Sequence, residues 1–161
     1  MAMSIKTEGL TEVSEMLTRL GNKAEDVASG SLYDGAGIVA DAFTAAANSI
    51  QTEPFRYAAG GRKRKPSPEE KAALIGKSGI AKFNKNGSEV DTIIGISGSA
   101  GYANVAGKQK AVREIARSIN SGTSFMEKQP IFRKAKSSSQ NAAKAAIVAK
   151  AEKMFDEIIN G

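Results

Sequence analysis

Four consecutive cations, Arg62–Lys65, are the residues of this 161-residue sequence with the most evident chemistry. Gly60-Gly61 precedes the run and Pro66-Ser67-Pro68 follows it, and both stretches resist regular structure, so we expect the run to lie on a loop. Because Lys and Arg side chains attract phosphate, contact with a nucleic-acid backbone is one interpretation. A solvated loop, or one whose charges meet acidic surfaces of the same assembly, is another. A nuclear-localisation segment fits the letters alone, and no other feature supports it.

The sequence contains few of the residue types that usually perform catalysis. It contains 0 Cys and 0 His, which excludes thiol nucleophiles, thiolate metal sites, imidazole bases and zinc sites of the usual kind. Two glycine-rich stretches, 76–79 and 95–101, lack the patterns of phosphate-binding and dinucleotide-binding loops, so we interpret them as turns. No acidic calcium loop occurs, and no motif supports a Ser–Lys dyad. We therefore predict a protein that is not an enzyme and has no metal or cofactor.

The net charge of +6 is divided unevenly along the chain. Residues 1–55 hold three basic and eight acidic side chains, a net charge of −5. Residues 56–85 hold nine basic and two acidic side chains, a net charge of +7, and residues 86–161 add +4. The middle segment thus carries more than the whole net charge, which indicates a polar arrangement of charge rather than a uniformly basic surface.

Membrane insertion is not predicted. No run of about 18 apolar residues occurs, so we expect no membrane-spanning segment and no membrane partner. The N-terminal residues lack the basic-then-apolar pattern of a secretory signal, which favours an origin in the cytoplasm.

Apolar residues at helical spacing predict two helices in the first 50 residues. The first covers about residues 10–24, with Leu10, Val13, Leu17, Leu20 and Ala24 on one face, and we expect Gly21-Asn22 to kink or end it. The second covers about residues 23–50, along a narrow seam of Leu32, Ala36, Val39, Phe43, Ala46 and Ile50. The seam and its neighbours contain many Ala and Gly residues, which allow another backbone to approach closely. Packing on this chain's own sheet is one interpretation, and contact with a second subunit is the sharper alternative.

A flexible basic loop is predicted at residues 51–66. It contains Phe55 and Tyr57, which either anchor a contact with a partner or cover the edge of the core. A short helix from Ser67 to Ile75 should follow, because Ser67 suits the N-cap and Pro68 suits the first helical position.

Asn86-Gly87, flanked by alternating segments, predicts a β-hairpin with a two-residue turn. Because one hairpin alone is marginally stable, we expect further strands, with Ser4–Glu8 and Gly101–Val105 as candidates. The turn predicts three cross-strand pairs: Lys85 with Ser88, Phe83 with Val90, and Lys82 with Asp91.

Two more helices are predicted in the last third of the chain. One begins at about Val112 and ends at Asn120-Ser121-Gly122, and the last begins near Gln129-Pro130, with the polar stretch Ser137–Ser139 able to interrupt it. The order of elements favours a single α+β domain over residues 1–161. We expect a small antiparallel sheet with a β-hairpin, packed against long N-terminal and C-terminal helices.

Short motifs in chain order carry a resemblance to a known family. Ser4–Leu10 has the form of a short strand and a Gly-Leu that starts an amphipathic helix, and Gly35–Ala40 lies in a long Ala/Gly-rich helix. Gly122-Thr123, and Gln129-Pro130 followed by an apolar pair, are the most specific matches. In these motifs the sequence resembles the minor tail component, or tail-completion, family of long-tailed bacteriophages of the Hong Kong 97 type. The resemblance spans nearly the whole chain and departs at Gln51–Phe55, where the family often has a different segment.

The resemblance implies a structural role in the virion, at the head–tail junction or the head-proximal end of the tail, after assembly in the cytoplasm of a bacterial host. It also implies a homo-oligomeric ring, for which tail symmetry favours a hexamer, in contact with other neck and tail proteins. A ring formed head to tail needs two different patches on each subunit. The loop 51–66 is long enough to reach a neighbour, the tube lumen or phage DNA. The alternative function is a small basic nucleic-acid-binding module that uses Arg62–Lys65.

Two groups of candidate site residues follow from these interpretations. The candidate subunit-interface residues are Ala36, Val39, Ala40, Phe43, Ala47 and Phe132. The candidate loop contacts are Phe55, Tyr57, Arg62, Lys63, Arg64 and Lys65.

Overall fold

A computed structural model describes residues 10–57, 60–80, 82, 84–86, 89–92, 94–103 and 109–160. In these residues the chain forms long helices towards both ends of the sequence and short antiparallel strands between them, which confirms the predicted α+β class. The helices are α1 (Leu10–Asn48), α2 (Pro68–Gly76), α3 (Val112–Ser121) and α4 (Ile131–Asn160). The strands are β1 (Ser78–Ile80), β2 (Asn84–Asn86), β3 (Glu89–Asp91), β4 (Ile94–Ile96), β5 (Ser99–Ala103) and β6 (Gln109–Ala111).

The first two predicted helices are one continuous helix, α1, of 39 residues. The interruption expected at Gly21-Asn22 is therefore wrong. Gly21 lies inside α1 without the left-handed φ that ends many helices. One glycine costs a helix about 1 kcal/mol, which the packing of the rest of α1 offsets.

Helices α1 and α4 form a closely packed antiparallel pair. Gly30 lies against Met154, whose Sδ would be 3.1 Å from a Cβ at that position, and a Cβ at Gly35 would overlap the Ile147 side chain. At the other end of the pair, Phe43 stacks on the first turn of α4. The small residues of the α1 seam thus allow the backbone of α4 to approach closely. The main neighbour of the seam is α4 and not the sheet.

The hydrophobic core lies where the C-terminal half of α1 meets α2, α3 and the start of α4. Leu74, Ile115 and Ile119 are fully buried there. Ile96 and Ala100 pack on the core from the strands. The buried members are Phe43, Ala46, Ala47, Ile50, Leu74, Val112, Ile115, Ala116, Ile119, Met126, Ile131 and Ala135.

The strands form three antiparallel pairs, β1 with β4, β2 with β3, and β5 with β6. The β2–β3 register corrects the hairpin prediction. The observed pairs are Asn84 with Asp91, Lys85 with Val90, and Asn86 with Glu89. From the sequence alone, Gly-Ser at 87–88 suits a two-residue turn as well as Asn86-Gly87 does. The predicted partners Ser88 for Lys85, Phe83 for Val90 and Lys82 for Asp91 are therefore wrong.

The other strand predictions have different outcomes. Gly101–Val105 overlaps β5, which begins two residues earlier. Ser4–Glu8 lies outside the described residues, as do residues 81, 83, 87, 88, 93 and 104–108. Strand β6 was not predicted, because a three-residue strand of sequence Gln-Lys-Ala has no apolar alternation.

The remaining helix boundaries follow their local signals. Pro68 begins α2, and Ser67 caps it by accepting a hydrogen bond from Glu70 N at 3.2 Å. Helix α3 ends before Gly122, whose φ of +73° lies in the left-handed region that favours glycine. The Ser137–Ser139 stretch stays helical, and its three hydroxyls donate to carbonyls one turn earlier. No helix among the described residues has the length and apolar character needed to cross a membrane.

Candidate functional site

One cation of the predicted basic run is buried in the fold. Arg64 is 4% exposed and forms a two-pronged ion pair with Glu70, which is 2% exposed. The distances are 2.7 Å from Arg64 Nη1 to Glu70 Oε2 and 2.8 Å from Nη2 to Oε1. Lys110 Nζ, from β6, lies 3.0 Å from Glu70 Oε1. Arg64 is therefore corrected from a surface loop contact to a structural residue.

Glu70 remains ionised in this environment. Burial alone raises the pKa of its carboxyl group, but hydrogen bonds from Arg64, Ser67 N and Lys110 outweigh burial and lower the pKa to about 2. The same carboxylate completes the capping box of α2, since Ser67 N donates to Glu70 Oε2 at 3.0 Å. One side chain thus joins the loop, α2 and β6.

Hydrogen bonds hold both ends of the predicted loop 51–66. Arg64 N donates to Phe125 O and Glu127 N donates to Arg64 O, both at 2.9 Å, which makes a parallel bridge between Arg64 and Met126. Glu53 N donates to Pro66 O at 3.0 Å. The base of the loop is therefore tied to itself and to the segment before α4.

Lys65 is also engaged within the loop. Its backbone N–H donates to Glu53 Oε1 at 2.6 Å, and this hydrogen bond lowers the pKa of Glu53. Its Nζ lies 2.8 Å from Gln51 Oε1. Of the four consecutive cations, Arg62 and Lys63 are exposed, whereas Arg64 is buried and Lys65 is half-buried.

Three large aromatic side chains lie exposed around this buried ion pair. Phe55 is 58% exposed and Tyr57 is 71% exposed, and their rings meet edge to face with centroids 5.5 Å apart. The Arg64 guanidinium lies 5.0 Å from the centroid of the Phe55 ring, which supports that ring from beneath. Phe125 is 45% exposed and directly precedes Met126, the partner of Arg64 in the parallel bridge. We define the aromatic–basic patch as Phe55, Tyr57, Arg62, Lys63 and Phe125.

The second candidate surface is an apolar groove of about 290 Å³ between α1, α4 and β4. Phe43 forms its floor, stacked on Phe132 with centroids 5.4 Å apart. Phe132 remains 41% exposed. Among the described residues, Lys136 and Lys144 are the charged side chains that line it. We define the α1–α4 groove by its lining: Val39, Phe43, Ile94, Ile96, Phe132, Ala135, Lys136, Ser139, Gln140, Ala143, Lys144 and Ile147.

The predicted interface residues are divided between the interior and this groove. Ala36 and Ala47 are buried within the chain, and Ala40 is half-buried, without lining the groove. The other three, Val39, Phe43 and Phe132, all line it. Contact with a second subunit stays a prediction, and in this structure it concerns the groove rather than the whole seam.

Several residues of these surfaces were missed by sequence reasoning. Phe125 lies in a turn with no periodic pattern, and Glu70 was not among the predicted site residues. The capping pattern Ser-x-x-Glu at 67–70 was a usable signal for the hydrogen bonds between Ser67 and Glu70, whereas nothing local indicates the partner of Glu70 40 residues away, Lys110.

The chemistry of the two surfaces is that of binding. Across the described residues, no group of three acidic, Cys or His side chains lies close enough together to hold a metal ion. The aromatic–basic patch offers rings and cations, and the groove offers apolar area with two cations at its rim. No family model, curated protein or solved structure matches this chain. The resemblance to tail-completion proteins therefore stays a prediction.

Proposed function

We propose that this chain is a structural protein of a long-tailed phage or prophage virion, a tail-completion or head–tail joining component. It assembles as a ring at the head-proximal end of the tail, with a hexamer favoured by tail symmetry. Its partners are further copies of itself and other neck and tail proteins, and its location is the virion, after assembly in the bacterial cytoplasm. The support from sequence is the order of motifs that resembles the tail-completion family.

The single structural observation that supports this proposal most is a pair of exposed apolar surfaces that share no residue. The aromatic–basic patch exposes Phe55, Tyr57 and Phe125, and the α1–α4 groove exposes Phe132. Large exposed apolar side chains grouped beside charged ones are typical of protein interaction sites. A subunit in a head-to-tail ring needs two different surfaces of this kind.

The proposal is tested by electron microscopy of particles made without the gene. We expect separate DNA-filled heads and unjoined or defective tails, with joining restored when the gene is supplied in trans. Normal virions from the deletion would contradict the proposal. Neighbouring genes for a portal, a major capsid protein and a tail tube would support the same role independently.

A second candidate function, binding of nucleic acid, is favoured by one feature of the patch. Arg62 and Lys63 are exposed beside Phe55 and Tyr57, so cations and stacking surfaces are available together. This function predicts DNA affinity that falls steeply with salt and weakens in the variant R62A/K63A. The matched control R113A/R117A removes the same charge from exposed positions on α3. Equal loss in both variants, or no binding at low salt, would exclude this candidate.

A further inference from the structure

The charges along helix α4 are arranged against the dipole of the helix. Residues 131–150 contain five cations and no carboxylate, whereas residues 151–160 contain three carboxylates and one cation. The first turn of α4 has no acidic residue and its last turn has no basic residue. A helix dipole favours the reverse, with acidic side chains near the N-terminus and basic ones near the C-terminus. Because this placement costs helix stability, it is a feature expected of a functional surface.

The acidic end of α4 is exposed and only weakly paired within the chain. Glu152, Asp156 and Glu157 are all exposed. Glu157 lies 3.9 Å from Lys153, and their side chains are 65% and 71% exposed, so this ion pair contributes little. Ile159 is 42% exposed, and its spacing places it on the same helix face as Glu152 and Asp156. The end of α4 thus presents carboxylates beside an apolar side chain.

Helix α1 does not neutralise this acidic end. The last residues of α4 run beside about residues 24–29 of α1, because Gly30 lies against Met154 in the antiparallel pair. Residues 15–30 contain three carboxylates and two cations, and residues 1–14 contain two carboxylates and one cation. The neighbouring part of the chain therefore adds negative charge to the end of α4.

The start of α4 has the opposite character. Arg133 and Lys134 are exposed in its first turn, and neither of them lines the α1–α4 groove. Phe132, directly before them, is 41% exposed. Lys128 is exposed just before the helix and lies against Gly122 at the end of α3. The start of α4 thus presents cations beside an apolar side chain, which complements the acidic end.

The two ends of α4 cannot meet within one subunit. Arg133 and Asp156 belong to the same continuous helix and are about 35 Å apart along its axis, at 1.5 Å per residue. A contact between these complementary surfaces must therefore join two molecules.

We propose that the acidic end of α4 in one copy docks on the start of α4 in the next copy, with Glu152 and Asp156 facing Arg133 and Lys134. This inference rests on the proposed function and names the contact that builds the ring. The two surfaces differ, so the contact is head to tail, and repetition around an axis closes a ring. Each contact also brings carboxylates to the N-terminus of one α4 and cations to the C-terminus of the other, as the two dipoles favour.

Charge exchange tests the contact on the full-length chain. Sedimentation velocity over a range of concentrations should show oligomers of the unaltered chain, and at least tenfold weaker association for E152K/D156K and for R133E/K134E. The four-fold variant that combines both exchanges should recover the association, because the charges are again opposite. The control R113E/R117E makes a charge change of the same size at exposed positions on α3 and should associate normally.

Thermal denaturation distinguishes this contact from a role of the same residues in folding. At concentrations where the chain is monomeric, E152K/D156K and R133E/K134E should each raise the melting temperature by about 1–4 °C, because both variants place charges as the helix dipole favours. Weaker association together with lower melting temperatures would show that the residues act through folding, and would overturn the inference.

Cross-linking gives a further measurement that does not depend on charge. The chain has 0 Cys, so Arg133→Cys combined with Asp156→Cys introduces the only thiols. Oxidation should produce a ladder of disulfide-linked oligomers, whereas either single variant should stop at a dimer. The two positions are too far apart in one subunit to close a disulfide within it.

The outcomes separate this inference from the proposed function. Oligomers that are indifferent to both charge exchanges, no recovery in the four-fold variant, an absent cross-linking ladder, or a monomer at every concentration would each overturn the docking contact. Normal virions from the gene deletion would overturn the proposed function instead, whatever the association of the purified chain.

Discussion

At the scale of single residues, the buried ion pair between Arg64 and Glu70 changes how the four consecutive cations, Arg62–Lys65, are interpreted. Breaking a buried ion pair by removing one partner leaves an uncompensated buried charge, which costs far more than loss of a surface pair. The pair also supports the ring of Phe55, so a structural interaction positions an exposed binding residue. The outward-facing cations that remain are Arg62 and Lys63, with Lys65 half-buried.

The first residue-scale prediction concerns the neutral isostere of Glu70. We expect Glu70→Gln to lower the free energy of unfolding by about 3 kcal/mol, because Arg64 and Lys110 then lose their shared carboxylate. Urea denaturation followed by circular dichroism measures the change. The neighbouring exposed Glu69→Gln is the control and should cost much less, because water screens an exposed carboxylate. Equal losses in the two variants would contradict the structural role of the buried pair.

The second residue-scale prediction concerns acid. The pKa of Glu70 is lowered from 4.5 to about 2 in the folded state, so its contribution to stability is complete above about pH 4.5 and is lost as the pH falls towards 2. We expect the free energy of unfolding to fall more steeply between pH 5 and pH 2 in the unaltered chain than in Glu70→Gln. Glu53 and Glu69, whose pKa values are also lowered, contribute equally to both proteins. Parallel pH profiles would show that Glu70 is not the group responsible.

At the scale of elements, the closeness of α1 and α4 depends on particular glycines. Gly35 faces Ile147 and the Ala143 carbonyl, whereas Gly37, two residues along the same helix, has no atom within 4 Å of its would-be Cβ. Substitutions at the two positions therefore distinguish the effect of packing between α1 and α4 from the effect of helix propensity.

This difference gives a matched pair of substitutions. Gly35→Ala should lower the melting temperature, because the added methyl group forces the helices apart and costs about 1–3 kcal/mol. Gly37→Ala should raise it, because alanine is favoured over glycine in a helix by about 1 kcal/mol. Thermal denaturation of both variants measures the two predicted changes in melting temperature. Stabilisation by both substitutions would show that the helices do not approach as closely as described.

The elements also show what the sequence could predict. The start of α2, the end of α3 and the start of α4 were predictable, because Ser67, Gly122 and Pro130 act locally. The continuity of α1 through Gly21 was not, since it depends on packing further along the helix. The hairpin register was ambiguous because Asn86-Gly87 and the following Gly-Ser pair both suit a two-residue turn. The pairing of Glu70 with Lys110 was unpredictable, because it joins residues 40 positions apart.

At the scale of the whole molecule, positive and negative charges are divided unevenly along the chain. The first 55 residues carry a net charge of −5, and the basic remainder includes Lys136 and Lys144 at the α1–α4 groove. Such polarity favours head-to-tail contacts and disfavours contacts between identical ends. The aromatic–basic patch shares no residue with the groove, so the proposed ring leaves this patch for the proposed neck or tail partner.

The patch gives a whole-molecule prediction. We expect F55A/Y57A to fold with a free energy of unfolding within about 1 kcal/mol of the unaltered chain, because both rings are largely exposed. The same variant should fail to restore infectivity to a phage that lacks the gene, because it removes the anchors for a partner. Val148→Ala, which shortens another exposed apolar side chain, is the control. Full infectivity with F55A/Y57A would show that the aromatic–basic patch is not needed for binding a partner.

The central claim is that this chain is a stoichiometric part of the virion neck. Quantitative mass spectrometry of purified virions, with isotope-labelled peptides of this chain and of the major capsid protein, measures its copy number directly. We expect a small fixed number of copies per particle, six if the ring follows tail symmetry. Virions that are infectious and contain none of this chain would contradict the claim.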